Sequence, residues 1–429
     1  MERRTFLHAA GAAAAAAPQI LRGQAKKLRV GVIGVGRRGR NIVEAAVASP
    51  DTELVAISDV YQPSIDKALK IAPGAKVYRD FRDLIADKSI DVVGIGTPDH
   101  WHAYMTVEAC KAGKDVYVEK PISVTVYEGQ MMVKAARKYE RIVQVGTQQR
   151  SGDHFQHVVK LIQNDEIGDI SFVRNWNYGN QYPEGIGNPA DSAPPKDLDW
   201  EMWLGPAPER PFNANRFGVN DESFSHFRWF WDYAGGMMTD WGVHLLDIML
   251  WAMDTPGPTS VSAFGDKYVL DDNRETPDTI LASYEFPGFV AVYENRTTNS
   301  QSMFDQGYGI TFHGTKGTLF CDRSRWEILP ERERTTTGTR ERMPGAEGKA
   351  GNNSTMDHWA DFVSSIRTRK PPVSDILEGH RSTVTALLGN IAMRSKQRFD
   401  WDPVNETTTN AEARSFLKRE YRAPWKLEL

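Results

Sequence analysis

Three polar residues, far apart in the chain, have the types and surroundings that proton transfer at a hydroxyl group requires. Lys120 stands in YVEKP (117–121), directly after a short apolar run. Asp240 and His244 lie four residues apart, so a helix would place them on one face. A lysine ammonium can stabilise a developing oxyanion, and a neutral imidazole is a usual acceptor for an alcohol proton.

Each of these signals also has a plainer explanation. An isolated EKP is typical of a surface lysine, and polar residues on one helix face can simply be satisfied by their neighbours. Gly235 and Gly236, directly before the predicted helix, favour close backbone approach there. His100 and His102 have a spacing found in metal sites, but no third ligand is in register, so we predict no metal.

A glycine-rich turn precedes these residues in the chain. Gly34, Gly36 and Gly39 form GxGxxG directly after the apolar run LRVGVIG (28–34) and open a helical pattern. In such a loop the first glycine permits the turn, the second lets the backbone approach a pyrophosphate, and the third lets helix and strand pack closely. The pattern predicts a dinucleotide site.

An acidic residue at the end of the next strand indicates which dinucleotide binds. Asp59 ends LVAISDV (54–60), twenty residues past Gly39. A carboxylate there can accept hydrogen bonds from the ribose hydroxyls and would repel a 2′-phosphate. We therefore expect NAD, with NADP as the alternative, since Arg37 and Arg38 could soften the preference.

The elements that position these residues follow an alternating pattern. Five short apolar runs read as buried parallel strands, with amphipathic helical stretches between them: LRVGVIG (28–34), LVAISDV (54–60), DVVGIGT (91–97), DVYVEK (115–120) and IVQVGT (142–147). The pattern predicts an α/β fold whose N-terminal domain, residues 27–150, is doubly wound. Ligands of such sheets lie beyond the carboxyl ends of the strands, where both TPDHWH (97–102) and Lys120 fall.

The alternation of short apolar strands and amphipathic helices stops after Arg150, which predicts a second domain over residues 151–429. A helix (154–164) and a strand (170–178) lead into a loop rich in Pro, Gly and Asn, then into a helix from about Gly236. Closely spaced strands between 261 and 329 read as a mostly antiparallel sheet, and helices at about 355–369 and 375–395 follow. These last helices could pack back on the first domain.

Composition excludes several classes of partner. The 429 residues carry a formal net charge of −4, which gives no basis for binding nucleic acid or an anionic membrane. The two cysteines, Cys110 and Cys321, are too few for a disulfide framework and read as buried thiols. No apolar run approaches the length of a membrane span once the N-terminal alanine tract is set aside, so we expect no membrane anchor.

The N-terminus, MERRTFLHAAGAAAAAAP, has the order of an export signal. The paired Arg3 and Arg4 precede a weakly hydrophobic run of small residues, which is typical of the Tat route for folded cargo. A tail of low complexity is the alternative. We predict a signal and linker over residues 1–26 and a periplasmic or secreted protein.

Taken together, GxGxxG with an acidic second strand, TPxxxH, AGKxVxxEKP and GG-x3-D-x3-H resemble the Gfo/Idh/MocA oxidoreductase family. The resemblance runs from about Lys27 to the C-terminal helices. It implies a Rossmann domain followed by an α/β domain with an open, mostly antiparallel sheet that often forms oligomer contacts. It also implies a nicotinamide cofactor and a sugar, polyol or derivative as substrate.

The resemblance assigns roles to individual positions. The family's catalytic lysine matches Lys120, and its aspartate and histidine match Asp240 and His244. His102 matches the histidine after the Thr-Pro pair, and we expect it to shape the site. The motifs place the cofactor site at Gly34, Gly36, Arg38, Gly39, Asp59, Thr97, Pro98, His102, Glu119 and Lys120.

Aromatic and arginine residues near these motifs are substrate candidates beside Asp240 and His244. Trp101 and Trp229 have flat faces that could pack on a pyranose ring, although each is equally suited to a core. Arg228 and Arg150 could bind a carboxylate or hydroxyls, or pair with acidic residues.

Three functions remain in view. The leading one is a nicotinamide-dependent oxidoreductase of a sugar or polyol, with a tightly held cofactor because no free nicotinamide pool exists outside the cytoplasm. The second is an NAD-dependent glycosidase that works by transient oxidation and elimination. The third is a non-catalytic sugar-binding protein, which the joint presence of Lys120, Asp240 and His244 disfavours.

Overall fold

The computed structural model describes residues 26–218 and 225–429. The predicted signal and linker therefore lie outside the described residues, except for Lys26. Within the described ranges, no helix is both long enough and apolar enough to cross a membrane.

The N-terminal domain is the predicted doubly wound fold. Its six strands are all parallel and lie in the order β3-β2-β1-β4-β5-β6. The elements are β1 (Leu28–Ile33), α1 (Arg37–Ala48), β2 (Thr52–Ser58), α2 (Gln62–Ile71), β3 (Lys76–Tyr78), α3 (Phe81–Ala86), β4 (Val92–Ile95), α4 (Asp99–Lys111), β5 (Asp115–Val118), α5 (Val126–Lys138) and β6 (Val143–Val145). The short edge strand β3, with little apolar character, is the one strand here that the sequence pattern missed.

The second domain begins with a 3₁₀ turn and a helix. Its elements are a 3₁₀ turn (Gln148–Ser151), α6 (Asp153–Gln163), β7 (Ile170–Tyr178), α7 (Trp200–Leu204), α8 (Ala214–Phe217), a second 3₁₀ turn (His226–Trp229), α9 (Gly236–Ala252), β8 (Ser260–Asp266), β9 (Thr279–Phe286), β10 (Phe289–Arg296), β11 (Tyr308–Gly314), β12 (Gly317–Cys321), β13 (Arg325–Pro330), β14 (Arg332–Thr335), β15 (Gly338–Glu341), β16 (Ala346–Lys349), α10 (Ser354–Thr368), α11 (Ile376–Ser395), β17 (Phe399–Asp400) and α12 (Ala411–Ser415).

Nine of these strands form one sheet, in the order β16-β13-β12-β11-β7-β10-β9-β8-β17. Strand β7 pairs parallel with β10, and the other pairs are antiparallel, as predicted. Side chains alternate along β9 and β10, which is typical of a sheet with only one face in a core. The other face carries exposed Phe264, Leu281 and Val290.

Helix α9 lies between the sheet and the first domain. Its residues are buried on almost every side, with Trp241 and Trp251 as the partly exposed positions. A helix with so many buried apolar residues must be covered by other elements, and here the hydrophobic core of the second domain packs against it. The tight approach expected at Gly235 and Gly236 is confirmed, because a Cβ on Gly236 would lie 2.9 Å from Thr276.

The C-terminal helices return to the first domain, as the sequence suggested. Trp359 and Phe362 of α10 belong to the same apolar cluster as Val30 of β1. Arg419 donates to a carboxylate oxygen of Glu128 at 2.8 Å, which fixes the C-terminal segment to α5. Residues from both parts of the chain therefore pack in one apolar cluster, and the C-terminal segment is bonded to the first domain.

Candidate functional site

One cavity of about 420 Å³ contains most of the residues singled out from the sequence. It lies at the carboxyl edge of the parallel sheet, where Gly34, Asp59, Thr97 and Lys120 follow the ends of β1, β2, β4 and β5. Helix α9 forms the opposite wall. The chain's order of strand and helix thus places the glycine loop and the proton-transfer candidates around the same space, as open α/β sheets do.

The glycine loop has the shape that a dinucleotide pyrophosphate needs. Gly34 has a φ of +76°, which disfavours any residue with a Cβ, and a Cβ on Gly39 would overlap the Gly34 carbonyl oxygen. Around Gly36, in contrast, a Cβ would meet no atom within 4 Å. Helix α1 begins at Arg37 without a side-chain cap, so its first N–H groups can bind an anion.

Asp59 faces the cavity, but its carboxylate also supports the loop. One oxygen accepts the Val35 N–H at 2.7 Å and the other accepts the Tyr61 N–H at 2.9 Å. Burial raises the pKa of Asp59 to about 6, against the effect of these backbone hydrogen bonds. Each oxygen keeps a lone pair that can accept a ribose hydroxyl, so the residue both fixes the turn and fits NAD.

Arg38 and Glu119 form a charged pair between the glycine loop and the end of β5. Arg38 Nε donates to Glu119 Oε1 at 2.7 Å, and Glu119 is almost fully buried. The negative charge of Glu119 holds the pKa of Arg38 above its usual range despite burial. The pair brings both predicted cofactor residues to the cavity wall and largely neutralises their charges.

Lys120 and Asp240, 120 residues apart, meet inside the cavity. Lys120 Nζ lies 2.6 Å from Asp240 Oδ1 and 3.1 Å from the Asp240 carbonyl oxygen. Arg228 Nε lies 3.1 Å from the same carboxylate oxygen. Burial opposes ionisation of Asp240, but the two cations hold its pKa below the usual range. Asp240 therefore stays a carboxylate that positions the Lys120 ammonium.

His244 lines the cavity one helical turn after Asp240, as the spacing predicted. Its Nδ1 is buried and has no hydrogen-bond partner among the described residues. Burial lowers the pKa of His244 well below its usual value, and the positive charges of Lys120 and Arg323 add to the effect. The imidazole is therefore neutral near pH 7 and can take up a proton from a bound hydroxyl group.

Asp99 adds a second carboxyl group to the same wall, at the start of α4. Burial raises its pKa to about 7, although the charges of Arg228 and Lys120 lower it. The sequence pattern gave no role to Asp99, although its place directly after the Thr-Pro pair could have indicated one.

Thr97, Pro98 and His102 lie where β4 passes into α4. The His102 ring nitrogens are 2.7 Å from the Pro121 carbonyl oxygen and 2.8 Å from that of Thr97. His102 thus connects the ends of β4 and β5, which agrees with its expected role in shaping the site. The Lys120–Pro121 peptide bond is cis.

The predicted sugar platform at Trp229 does not agree with the structure. Trp229 has no exposed surface and packs against the Arg274 guanidinium, 4.5 Å from its ring centroid, outside the cavity. Trp101 does line the cavity, but it is only 3% exposed and its indole N–H donates to the Trp203 carbonyl. Both indoles fill cores because large rings add apolar contact there.

Trp241 and Arg323 are further cavity residues that the sequence analysis did not identify. Trp241 follows Asp240 on α9 and is partly exposed, with the Arg323 guanidinium 4.4 Å from its ring centroid. Arg323 follows β12, so its sequence neighbours give no sign of the cavity. The one sequence signal for Trp241 was its position directly after Asp240 in α9.

The remaining arginine candidate, Arg150, lies outside the cavity and contacts α9, the helix that carries Asp240 and His244. Its Nε lies 3.0 and 2.9 Å from the Asp247 carboxylate oxygens, and the side chains are 4% and 0% exposed. Ser382 of α11 donates to Asp247 at 2.6 Å. Of the two roles considered for Arg150, pairing with an acidic residue is the one found, and the pair fixes α9 against its neighbours.

The described parts of the chain hold no group of three or more His, Cys, Asp or Glu side chains placed to bind a metal. His100 is directed at the Trp203 carbonyl oxygen, 3.0 Å from Nε2, and burial lowers its pKa to about 3. His100 and His102 therefore bind backbone carbonyl groups and pack in the wall of the cavity.

Comparison with known proteins agrees with this geometry. Residues 28–147 match the oxidoreductase family with an NAD-binding Rossmann fold, Gfo/Idh/MocA, and residues 160–427 match its C-terminal α/β domain. NAD is thus the cofactor of the N-terminal domain.

Individual relatives span between a third and nearly nine-tenths of the chain. The myo-inositol 2-dehydrogenase of Thermotoga maritima is 24% identical over 374 residues, 86% of this chain and 96% of its own. A glycosyl hydrolase family 109 protein of Shewanella sp. is 33% identical over 152 residues, 33% of each chain. A levoglucosan dehydrogenase solved with NADH and levoglucosan superposes with a TM-score of 0.67 at 17% identity, covering 87% of this chain and 99% of that one. The chain is a member of the Gfo/Idh/MocA oxidoreductase family.

Proposed function

We propose that the protein is an NAD-dependent oxidoreductase that acts on a secondary hydroxyl group of a sugar, polyol or derivative. One observation carries the proposal. The Lys120 ammonium, held by Asp240 at 2.6 Å, and the His244 imidazole line one cavity together with an open glycine loop. A myo-inositol dehydrogenase that aligns with 86% of this chain supports the substrate class.

Each of these residues has a separate role in the oxidation of the hydroxyl group. Bound NAD would supply a nicotinamide ring that accepts hydride. Lys120 donates a hydrogen bond to the substrate oxygen and stabilises its developing negative charge, and Asp240 keeps the ammonium in place. Neutral His244 takes the hydroxyl proton at a ring nitrogen that faces the cavity. In the reducing direction the same groups return the proton.

Tight retention of the cofactor is part of the proposal. Purified protein is denatured and the supernatant is assayed for NAD, NADH, NADP and NADPH. Near-stoichiometric NAD(H) is expected in the supernatant. In a separate sample of native protein, the NADH fluorescence should change when a panel of sugars and polyols is added. NADP(H) would contradict the assignment of Asp59, and an empty protein that fails to bind added cofactor would favour a non-catalytic sugar-binding role.

An NAD-dependent glycosidase is the second candidate, supported by the family 109 relative that aligns with a third of the chain. Oxidation at the sugar C3 would acidify the C2 proton, elimination would expel the aglycone, and water addition and reduction would complete the cycle. Aryl glycosides in D₂O distinguish the candidates. Release of the phenol, together with a sugar product that carries deuterium at C2, identifies the glycosidase. A released 3-keto sugar or net formation of NADH identifies the dehydrogenase.

The paired Arg3 and Arg4 carry a proposal on location: export by the Tat route to the periplasm or beyond. Loading of a cofactor before export would explain the use of a route for folded cargo. Fractionation of cells that express the full chain tests this. Processed protein outside the cytoplasm, lost on Arg3→Lys with Arg4→Lys, is expected, and unprocessed protein confined to the cytoplasm would contradict it.

The open face of the nine-stranded sheet carries a proposal on assembly. Phe264, Leu281 and Val290 are 76%, 45% and 43% exposed there. Leu281 lies beside Phe264 across the β8–β9 pair, so an apolar patch faces outward. We expect a homo-oligomer through this face, visible by light scattering, that Leu281→Glu dissociates.

A further inference from the structure

We infer that the substrate carries a carboxylate group, which Arg323 binds beside Trp241. This inference rests on the proposed function, because it names the substrate class of the same cavity.

Arg323 has an incomplete set of partners. Its Nε donates to Gln149 Oε1 at 3.1 Å, and its guanidinium lies 4.4 Å from the Trp241 ring centroid. Both partners are uncharged. Within residues 26–218 and 225–429, no carboxylate lies within ion-pair distance of Arg323, although the side chain is only partly exposed. A desolvated guanidinium without an anion is costly unless a ligand supplies one.

The arginines next to it show the contrast. Arg38, beside the glycine loop, pairs with Glu119 at 2.7 Å, and Arg325, two residues after Arg323, pairs with Glu327 at 2.6 Å. Arg228 lies 3.1 Å from Asp240. Arg323 alone among these four has its guanidinium directed at uncharged groups and the cavity. Burial accordingly lowers the pKa of Arg323.

The charges on the part of the cavity around Lys120 and Arg323 support the same inference. Lys120, Arg228 and Arg323 contribute three positive charges, against the carboxylate of Asp240 and the carboxyl group of Asp99. Because the pKa of Asp99 is raised to about 7, that group is only partly ionised near neutrality. His244 adds no charge, so a substrate with one negative charge would balance the site.

Arg323 is close enough to the reacting residues to hold such a substrate. Its charge acts on His244 and on Asp240, and Trp241 connects it to the helix that carries both. The guanidinium fork suits a carboxylate because two parallel N–H groups can bind its two oxygens. We therefore assign the substrate to the uronates and aldonates.

The experiment measures binding and turnover separately. Calorimetry on the NADH-loaded protein uses glucuronate, galacturonate, gluconate and galactonate, each against its neutral sugar or polyol and against glucose 6-phosphate. At least one acid is expected to bind more tightly than its neutral counterpart. Arg323→Gln should weaken that acid about 10- to 100-fold, which is the usual contribution of a hydrogen bond to a charged group. The affinity for NADH should change less than about twofold.

Two variants sharpen the result. Arg323→Lys keeps the charge without the fork and should restore part of the affinity. Arg325→Gln, outside the cavity, should bind the acid like the native protein. Equal binding of acids and neutral sugars, tighter binding of glucose 6-phosphate than of every acid, or loss of NADH affinity in Arg323→Gln would each overturn the inference. An acid that binds through Arg323 without any hydride transfer would uphold the inference and contradict the proposed function.

Discussion

The two halves of the cavity are built on different physical principles. The cofactor half consists of backbone and small residues that are near neighbours in the chain, with Gly34, Gly36 and Gly39 within one turn. The substrate half consists of charged and polar side chains from four segments, which carry Lys120, Arg228, Asp240 with His244, and Arg323. Shape governs the first half and electrostatics governs the second, so substitutions in the two halves should fail in different ways.

The largest expected effect is in the substrate half. Lys120→Ala removes the donor to the developing oxyanion, and kcat/KM should fall about 10²- to 10⁴-fold. NADH affinity, measured by fluorescence titration, should stay within about threefold. Lys111→Ala, on the outer side of α4, is the control and should act like the native protein. Equal loss of activity and cofactor affinity would mean that the halves are not separable.

The support of the substrate half can be tested through Arg150. Arg150→Ala leaves the fully buried Asp247 carboxylate with Ser382 as its hydroxyl donor, and the free energy of unfolding should fall by about 3–5 kcal/mol. Denaturant titration measures this. Arg381→Ala, which breaks the exposed pair with Glu378, should cost no more than about 1 kcal/mol. Comparable losses would contradict a supporting role for the buried pair.

The cofactor half can be tested by two alanine substitutions that differ only in position. Gly36→Ala puts a methyl group into open space, so stability without cofactor should be unchanged while NAD affinity falls about tenfold or more. Gly39→Ala puts the methyl group against the Gly34 carbonyl and should lower the stability of the free protein. Thermal scans with and without NAD distinguish them. An unchanged NAD affinity in Gly36→Ala would place the pyrophosphate elsewhere.

The smallest effect expected is the pH dependence that Asp99 adds. Its pKa is about 7 in the folded protein and about 3.9 in an unfolded chain. The unfolded state therefore loses the proton first as pH rises, and native stability falls between about pH 4 and pH 7. Asp99→Asn removes this loss, so its melting temperature relative to the native protein should rise by a few degrees from pH 4 to pH 8. A difference that is constant with pH would contradict the buried, neutral carboxyl group.

The same contrast explains how much could be predicted from the sequence. The glycine loop, Asp59 and the five apolar strands were found because each depends on residues close in the chain. Strands β14 to β16 were missed because each has only four, mostly polar residues and is defined by its pairing with another strand. The family resemblance supplied the link between Lys120 and Asp240 that local pattern alone does not give.

The sequence by itself determined the doubly wound domain, the turn that accepts NAD, and the helix that carries Asp240 and His244 on one face. Periodicity and backbone conformation are local properties, and local sequence encodes them. Only the tertiary structure decided that Trp229 is a core residue, that Arg150 pairs with Asp247, and that Arg323 reaches the cavity. Burial and charge pairing depend on which segments meet in space, and a side chain's type does not specify that.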